Sequence, residues 1–278
     1  MGRDPGRCRT QAARLIAAEM ASRELIRYER VRNERVRYSG GMQSTTSRSR
    51  RERPAKPALS RAGIIATAVA VMRAEGLEHV TMRRLAAELD TGPASLYVYL
   101  RNTAELHAAV LDELLGFVGL VPDRSAHWAD TIVRMLWSYN GILSGHPGLA
   151  RSALVTRPSG PNYLALVEGL LTLLREGGIP DAQSAWGVDI LLLFATSIAL
   201  EHGTRRQVMA ADEDEEALEH AIHQATTSNY PTIAALGGDL LSGTPEARFG
   251  WHVRVLLNGM AMTPRPPVES EHEGLGRS

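Results

Sequence analysis

The chain has 278 residues, 44% of them hydrophobic and 5% aromatic; at roughly 100–200 residues per domain this allows one to three domains, with too much apolar side chain for wholesale disorder. Its one cysteine, Cys8, excludes an internal disulfide framework and any cysteine-based zinc finger. Basic and acidic residues balance at 31 each, but residues 1–56 hold 15 basic and 6 acidic side chains (net +9), residues 57–120 hold 5 and 7, and residues 121–278 hold 11 and 18, so a basic front suited to a polyanion precedes an acidic body.

The N-terminal residues MGRDPGRCRT are charged and carry no apolar core of the kind a signal peptide needs. Residues 10–37 have the loose apolar spacing of a helix, with Leu15, Ile16, Met20, Leu25, Ile26, Val31 and Val36 among many charges. Residues 39–58 read as a flexible basic linker of Gly, Ser, Thr and Pro with Arg48, Arg50, Arg51, Arg53 and Lys56. Translation beginning at Met42 would leave only a short basic arm. Residues 1–58 are therefore expected to form a basic, partly disordered arm. From Leu59 onward the pattern is helical. Ser60 is placed to cap a helix carrying Ile64, Ile65, Ala68, Val69, Val71 and Met72, which Gly76 stops. Thr81 caps a second helix with the stripe Met82, Leu85, Ala86 and Leu89; Asp90-Thr91-Gly92-Pro93 is a turn; a short helix spans 94–99. Asn102 with Glu105 reads as a capping box opening a helix over 103–118.

The remainder alternates amphipathic helical patterns with Gly/Pro stops at 145–148, 158–161, 177–178, 237–238 and 243, and no stretch shows strand alternation. The fold class is all-α. The helix at 182–203 is apolar nearly all round and so is buried on more than one side; a helix at 245–260 is similar. One face of each would meet the core and another a partner subunit, which predicts a homodimer. The most apolar stretch, 185–200, is interrupted by Asp189 and is short for a membrane span, which needs about 20 apolar residues. No membrane partner is expected, and the protein is expected to be soluble and cytoplasmic.

Residues 81–100 have the layout of a helix-turn-helix, with Leu85, Leu89 and Leu96 as anchors and small Ala94 and Ser95 at the start of the second helix, where close approach to DNA needs them. Residues 60–106 also carry A-x-x-V/L-x-x-x-G-L, then T-M-R-R-L-A-A-E-L, then G-P-A-S-L-Y-x-Y-L-x-N, in that order. This stretch resembles the DNA-binding domain of the TetR family of repressors. A looser resemblance to the tetracycline-repressor ligand and dimer domain continues to about residue 261, through Gly145-His146-Pro147, the long helix at 182–202 and residues 231–236.

The resemblance implies a helix-turn-helix domain over 59–106, a helical ligand-binding and dimerisation domain over 107–262, and a disordered tail over 263–278. It implies DNA contact by Ser60, Thr81, Arg83, Thr91, Pro93, Ala94, Ser95, Tyr97, Tyr99, Arg101 and Thr103. Thr103 stands where many members place a phosphate-binding lysine, so it offers only a hydroxyl and the N–H groups of a helix start. Arg50, Arg51 and Arg53 of the arm are candidates for an adjacent minor groove. The resemblance places a ligand cavity within 128–202. Trp128, Met135 and Tyr139 are weighed there, and Trp137, Asn140, His146, Phe194, Ser197, Glu201 and His202 are the chosen contacts to an unknown small molecule.

Glu216, Glu219, His220 and His223 share helical faces at metal-ligand spacing, but residues 212–219 read as a solvated charge run, so neither a metal nor any cofactor is expected. No enzyme is expected: there is no G-x-S-x-G or glycine-rich phosphate loop, and His79, His107 and His127 have no evident nucleophile partner. The expected function is a ligand-responsive transcriptional repressor that binds a pseudo-palindromic operator in double-stranded DNA. The alternatives are a constitutive DNA-binding regulator and a helical small-molecule or protein-binding module with a vestigial helix-turn-helix.

Overall fold

The computed structural model describes residues 58–116, 126–156, 158–207 and 211–267. Contacts divide the chain into residues Met1–Leu59 and residues Ser60–Ser278. The first unit lies outside the described residues except for its last two, and with it the helix expected over 10–37, Arg50, Arg51, Arg53 and Met42.

The described residues form helices and no strands, and the fold is all-α. Three helices and a connecting turn come first. Helix α1 (Arg61–Glu75) starts where the Ser60 hydroxyl accepts the Gly63 N–H at 3.1 Å, and stops where Gly76 takes φ 98°. A 3-10 turn (Leu77–His79) leads to α2 (Met82–Glu88), capped by the Thr81 hydroxyl on the Arg84 N–H at 3.2 Å. Helix α3 (Pro93–Tyr97) is short, and α4 (Thr103–Leu115) opens on Asn102, whose Oδ1 accepts the Glu105 N–H at 2.8 Å. Helix α4 therefore runs through the boundary expected at 106 and joins the first three helices to the body.

The body comprises α5 (Trp128–Ser144), α6 (Pro147–Val155), α7 (Pro161–Glu176), α8 (Asp181–Arg205), α9 (Ala211–His223), α10 (Pro231–Leu240) and α11 (Pro245–Met262). Leucines and aromatics at 3–4 spacing make the core: Ile132, Leu136 and Leu143 of α5, Leu166, Leu170 and Leu174 of α7, Leu191 and Ala195 of α8, and Phe249, Val253 and Leu257 of α11 are all buried. Helix α8 packs against α5, α6, α7 and α11. Its 25 residues make it the one helix among those described that is long and apolar enough to cross a membrane, longer than the run 185–200 alone indicates. Its buried stripe nevertheless faces protein, as in the central helix of a packed bundle. Helices α8 and α11 run antiparallel: Gln183 donates to the Met260 carbonyl at 3.1 Å at one end, and Phe194 meets Phe249 with ring centroids 5.4 Å apart further along.

Two buried polar pins join α5 to α8. The Tyr139 hydroxyl and the Thr196 hydroxyl are 2.8 Å apart, and the Asn140 amide donates to the Ala195 carbonyl at 2.9 Å. Burial pushes the Tyr139 phenol up to about 12, so it stays neutral. Of the residues expected in a tail, Arg265 lies over the Trp186 ring, 5.0 Å from its centroid.

Candidate nucleic-acid interface

Helix α3 is held from below. Leu96 is fully buried and Leu100 is 1% exposed, so the two leucines one turn apart lock the helix to α2 and the core. That anchoring turns the other positions outward. Pro93, Ala94 and Ser95 are exposed, Tyr97 is 52% exposed, and Thr91 and Tyr99 are half-buried. Val98, 81% exposed, belongs to the same face and is absent from the predicted contacts. The signal for it was present: with 96 and 100 buried, helical spacing puts 97 and 98 together on the outside.

The turn before α3 is a Schellman motif. The Thr91 N–H donates to the Ala86 carbonyl at 2.9 Å and the Asp90 N–H to the Ala87 carbonyl at 3.2 Å. The residue in the left-handed region is Asp90, at φ 47°, while Gly92 is extended and open on its side-chain face. Aspartate is among the few side chains that tolerate this conformation.

The cations of this domain are unequal. Arg84 is clamped by two carboxylates: Nη2 to Glu75 at 2.5 Å and Nη1 to Glu88 at 2.7 Å. Hydrogen bonds to Glu75 and then to Glu88 raise the Arg84 guanidinium further above its ordinary range. Arg101 donates from its backbone N–H to Glu105 at 2.9 Å and from Nε at 3.0 Å, which holds the Glu105 carboxyl below the usual range. Glu105 thus closes on Arg101 rather than on the N-cap residue itself, a shifted form of the expected capping box. Arg83, exposed beside the capped start of α2, is engaged by no carboxylate among the described residues. Asn102 and Thr103 are exposed at the start of α4, where helix N–H groups and dipole favour an anion. Ser60 and Thr81 spend acceptor capacity on their helix caps and keep a hydroxyl proton to donate.

The predicted ligand contacts separate into three places. Trp137 and Phe194 flank Phe249, with centroids 5.1 and 5.4 Å away, and Phe194 also meets His252 at 5.7 Å. Asn140 is buried and holds α8, and His146 is half-buried at the start of α6. Burial, then the Arg73 charge, pushes the His146 imidazole below its ordinary range. Ser197 and Glu201 lie instead on the exposed stripe of α8, where Glu201 pairs with Arg205 at 2.9 Å; His202, beside them in sequence, is half-buried. Ser197 and Glu201 are exposed, whereas Trp137 and Phe194 are half-buried.

The histidines weighed for catalysis serve local structure. His79 Nδ1 lies 2.7 Å from the Glu75 carbonyl, His107 Nε2 lies 3.1 Å from the Val80 carbonyl, and His127 Nδ1 accepts the Ala129 N–H at 3.4 Å. Glu216, Glu219, His220 and His223 are exposed on α9, and the Gln224 amide donates to His220 Nε2 at 2.8 Å. Among the described residues no group of three His, Cys, Asp or Glu side chains is arranged to hold a metal.

Comparison with known proteins covers both halves of this arrangement. The profile of "Bacterial regulatory proteins, tetR family" matches residues 64–110, and that of "Tetracyclin repressor-like, C-terminal domain" matches residues 121–263. The HTH-type transcriptional repressor DrrR1 of Streptomyces coeruleorubidus is 28% identical, covering 76% of this chain and 80% of its own. The crystal structure of the Streptomyces coelicolor transcription regulator SCO7704 is 53% identical, superposes with a TM-score of 0.64, and covers 77% of this chain and 100% of its own. The structure of Streptomyces coelicolor ActR in complex with actinorhodin is 33% identical, with a TM-score of 0.65, covering 73% of this chain and 96% of its own.

Proposed function

This chain belongs to the TetR family of bacterial regulatory proteins, and from that premise we propose that it is a ligand-responsive transcriptional repressor, released from its operator by a small molecule. It acts in the cytoplasm as a homodimer on pseudo-palindromic double-stranded DNA, and it is a binding protein rather than an enzyme. The observation that carries the reading is the outward face of α3. An apolar Val98 and an aromatic Tyr97 stand exposed above two buried leucines, on the face that a helix-turn-helix turns to a major groove.

In this reading Pro93, Ala94, Ser95 and Val98 meet base edges and thymine methyl groups in the major groove. Tyr97, Tyr99, Thr91, Thr81, Ser60, Arg83 and Thr103 meet sugar and phosphate, and Arg101 shares its charge between Glu105 and the backbone. Arg50, Arg51 and Arg53 add phosphate or minor-groove contacts from the arm. Two half-sites about one helical turn or more apart need two copies of the chain. The exposed apolar stripes Trp186, Ile190 and Leu193 of α8 and Trp251 and Val255 of α11 supply a face for that dimer.

The ligand reading rests on the aromatic group Trp137, Phe194 and Phe249 inside the body and on the similarity to ActR, which is solved with actinorhodin. Asn140, His146 and His202, buried or half-buried elsewhere in the body, are the polar candidates; Ser197 and Glu201, on the outer stripe, are better suited to the dimer. Ligand-driven release requires differential affinity for two conformations; tenfold release corresponds to about 1.4 kcal/mol.

Run-off transcription from a promoter overlapping a DNA site selected by the purified protein tests the proposal. The protein is expected to lower transcript yield, and compounds that raise its melting temperature are expected to restore it. Stimulated transcription, or repression that no stabilising compound relieves, contradicts the repressor reading.

A further inference from the structure

Asp112 is a buried carboxylate on α4, 8% exposed, and among the described residues its partners lie at the start of α7. Its Oδ1 accepts the Tyr163 N–H at 2.9 Å, and its Oδ2 accepts the Asn162 side-chain amide at 3.3 Å. The same amide donates to the Asp112 backbone carbonyl at 3.0 Å. Helix α7 has glycine at its N-cap, Gly160, and Pro161 at its first position, so it lacks a side-chain cap of its own. Tyr163 is its third residue, the one whose N–H an N-cap side chain ordinarily satisfies. A Cβ on Gly160 would overlap the Asp112 carboxylate. The cap of α7 is thus supplied from another helix, and Gly160 leaves room for it.

The position of this bond matters because of what α4 joins. Among the described residues, α4 packs on α1 of the DNA-binding domain and on α6 and α7 of the body. Leu111, Leu114 and Leu115 are buried beside Asp112, but apolar contact is non-directional and permits sliding. A charged acceptor on a helix N-terminus is directional, and the helix dipole favours it. Such a bond constrains the register of α4 on the body at one point. With α1 packed on α4, the tilt of α4 is passed to α2 and α3. We propose that Asp112, with Asn162, is a positioning pivot that sets the angle of the DNA-binding domain on the body, and through it operator affinity. The proposal rests on the DNA-binding reading for its last step only.

The test separates the cap from the pivot. Asp112→Ala removes both and is expected to lower the melting temperature. The double variant Asp112→Ala/Gly160→Asp gives α7 a local cap, at a backbone conformation any residue adopts (φ −77°, ψ 167°), and so recovers most of the lost melting temperature without the tether between helices. Spin labels on Ala70→Cys of α1 and Thr172→Cys of α7, both exposed positions, in a Cys8→Ser background diluted with unlabelled chains, report the angle between domain and body by electron–electron distance measurement. The double variant is expected to broaden and shift that distance while its melting temperature stays near that of the parent, and to bind a selected operator about fivefold or more weakly. If the distance is unchanged, or if operator affinity follows the melting temperature and recovers with it, the pivot is overturned. If the parent selects no operator, the DNA-binding reading fails, while the distance measurement still decides whether Asp112 sets the domain angle.

Discussion

Tyr97 and Leu96 are neighbours in the chain and opposites in the fold, one half in solvent and the other fully buried. Tyr97→Ala should therefore leave the melting temperature within about a degree or two and weaken operator binding by about 1–3 kcal/mol, measured by fluorescence anisotropy on a selected duplex. Normal binding by this variant would remove α3 from the interface. His146 gives a second residue-level test. Its imidazole is held below the ordinary value of 6.5 by burial, then by Arg73, so the folded state prefers it neutral. The unfolded chain then binds the proton more readily, and stability is lost as pH falls below 6.5 toward the folded value. His146→Gln should flatten that part of the melting temperature–pH curve; an unchanged slope would assign the loss to other groups. These side chains were legible in the sequence to different degrees. Tyr97 followed from the alternation of anchor and outward residues. Val98 follows from the same helical spacing once Leu96 and Leu100 are the buried anchors.

At the scale of the element, the helix starts in the DNA-binding domain were legible because their caps are local: Ser60, Thr81 and Asn102 each bond an N–H three residues ahead. The start of α7 was not legible in this way, because its cap, Asp112, lies 51 residues before the N–H it satisfies. Helix α8 posed a different problem. When a helix is apolar nearly all round, periodicity cannot say which stripe meets the core, so Ser197 and Glu201 read as pocket residues while the fold sets them outside. Glycines within helices test the packing directly. A Cβ on Gly203 of α8 would lie 2.7 Å from Pro147 Cγ and 2.9 Å from the Ser144 carbonyl oxygen, and neither can swing away. Gly203→Ala should cost about 1–3 kcal/mol in denaturant unfolding. Gly238→Ala, in α10 with nothing within 4 Å of the new carbon, should instead stabilise by about 0.5–1 kcal/mol through helix propensity. Equal effects at the two positions would contradict the close approach of α8 to the α5–α6 corner.

At the scale of the whole molecule, the all-α class could be read from helical periodicity and Gly/Pro stops and the two-part organisation from the family resemblance, whereas the proposed dimer rests on surplus apolar surface. Leu193, 53% exposed on α8, stands in that surplus. Leu193→Arg should halve the mass seen by sedimentation velocity while leaving the helical circular dichroism intact; an unaltered mass would place the dimer face elsewhere. The charge asymmetry bears on the same scale. With Arg84 and Arg101 partnered by carboxylates, the proposed DNA contacts of the helix-turn-helix lean on shape, hydroxyls and Arg83. The most direct test of sequence-specific binding by a twofold pair of α3 helices is selection of randomised duplex DNA by the purified full-length protein, with sequencing of the bound fraction. Twofold binding predicts enrichment of an inverted repeat whose half-sites lie about one helical turn or more apart, lost in Tyr97→Ala. Absence of any enriched repeat from a folded, dimeric protein at moderate salt would contradict it.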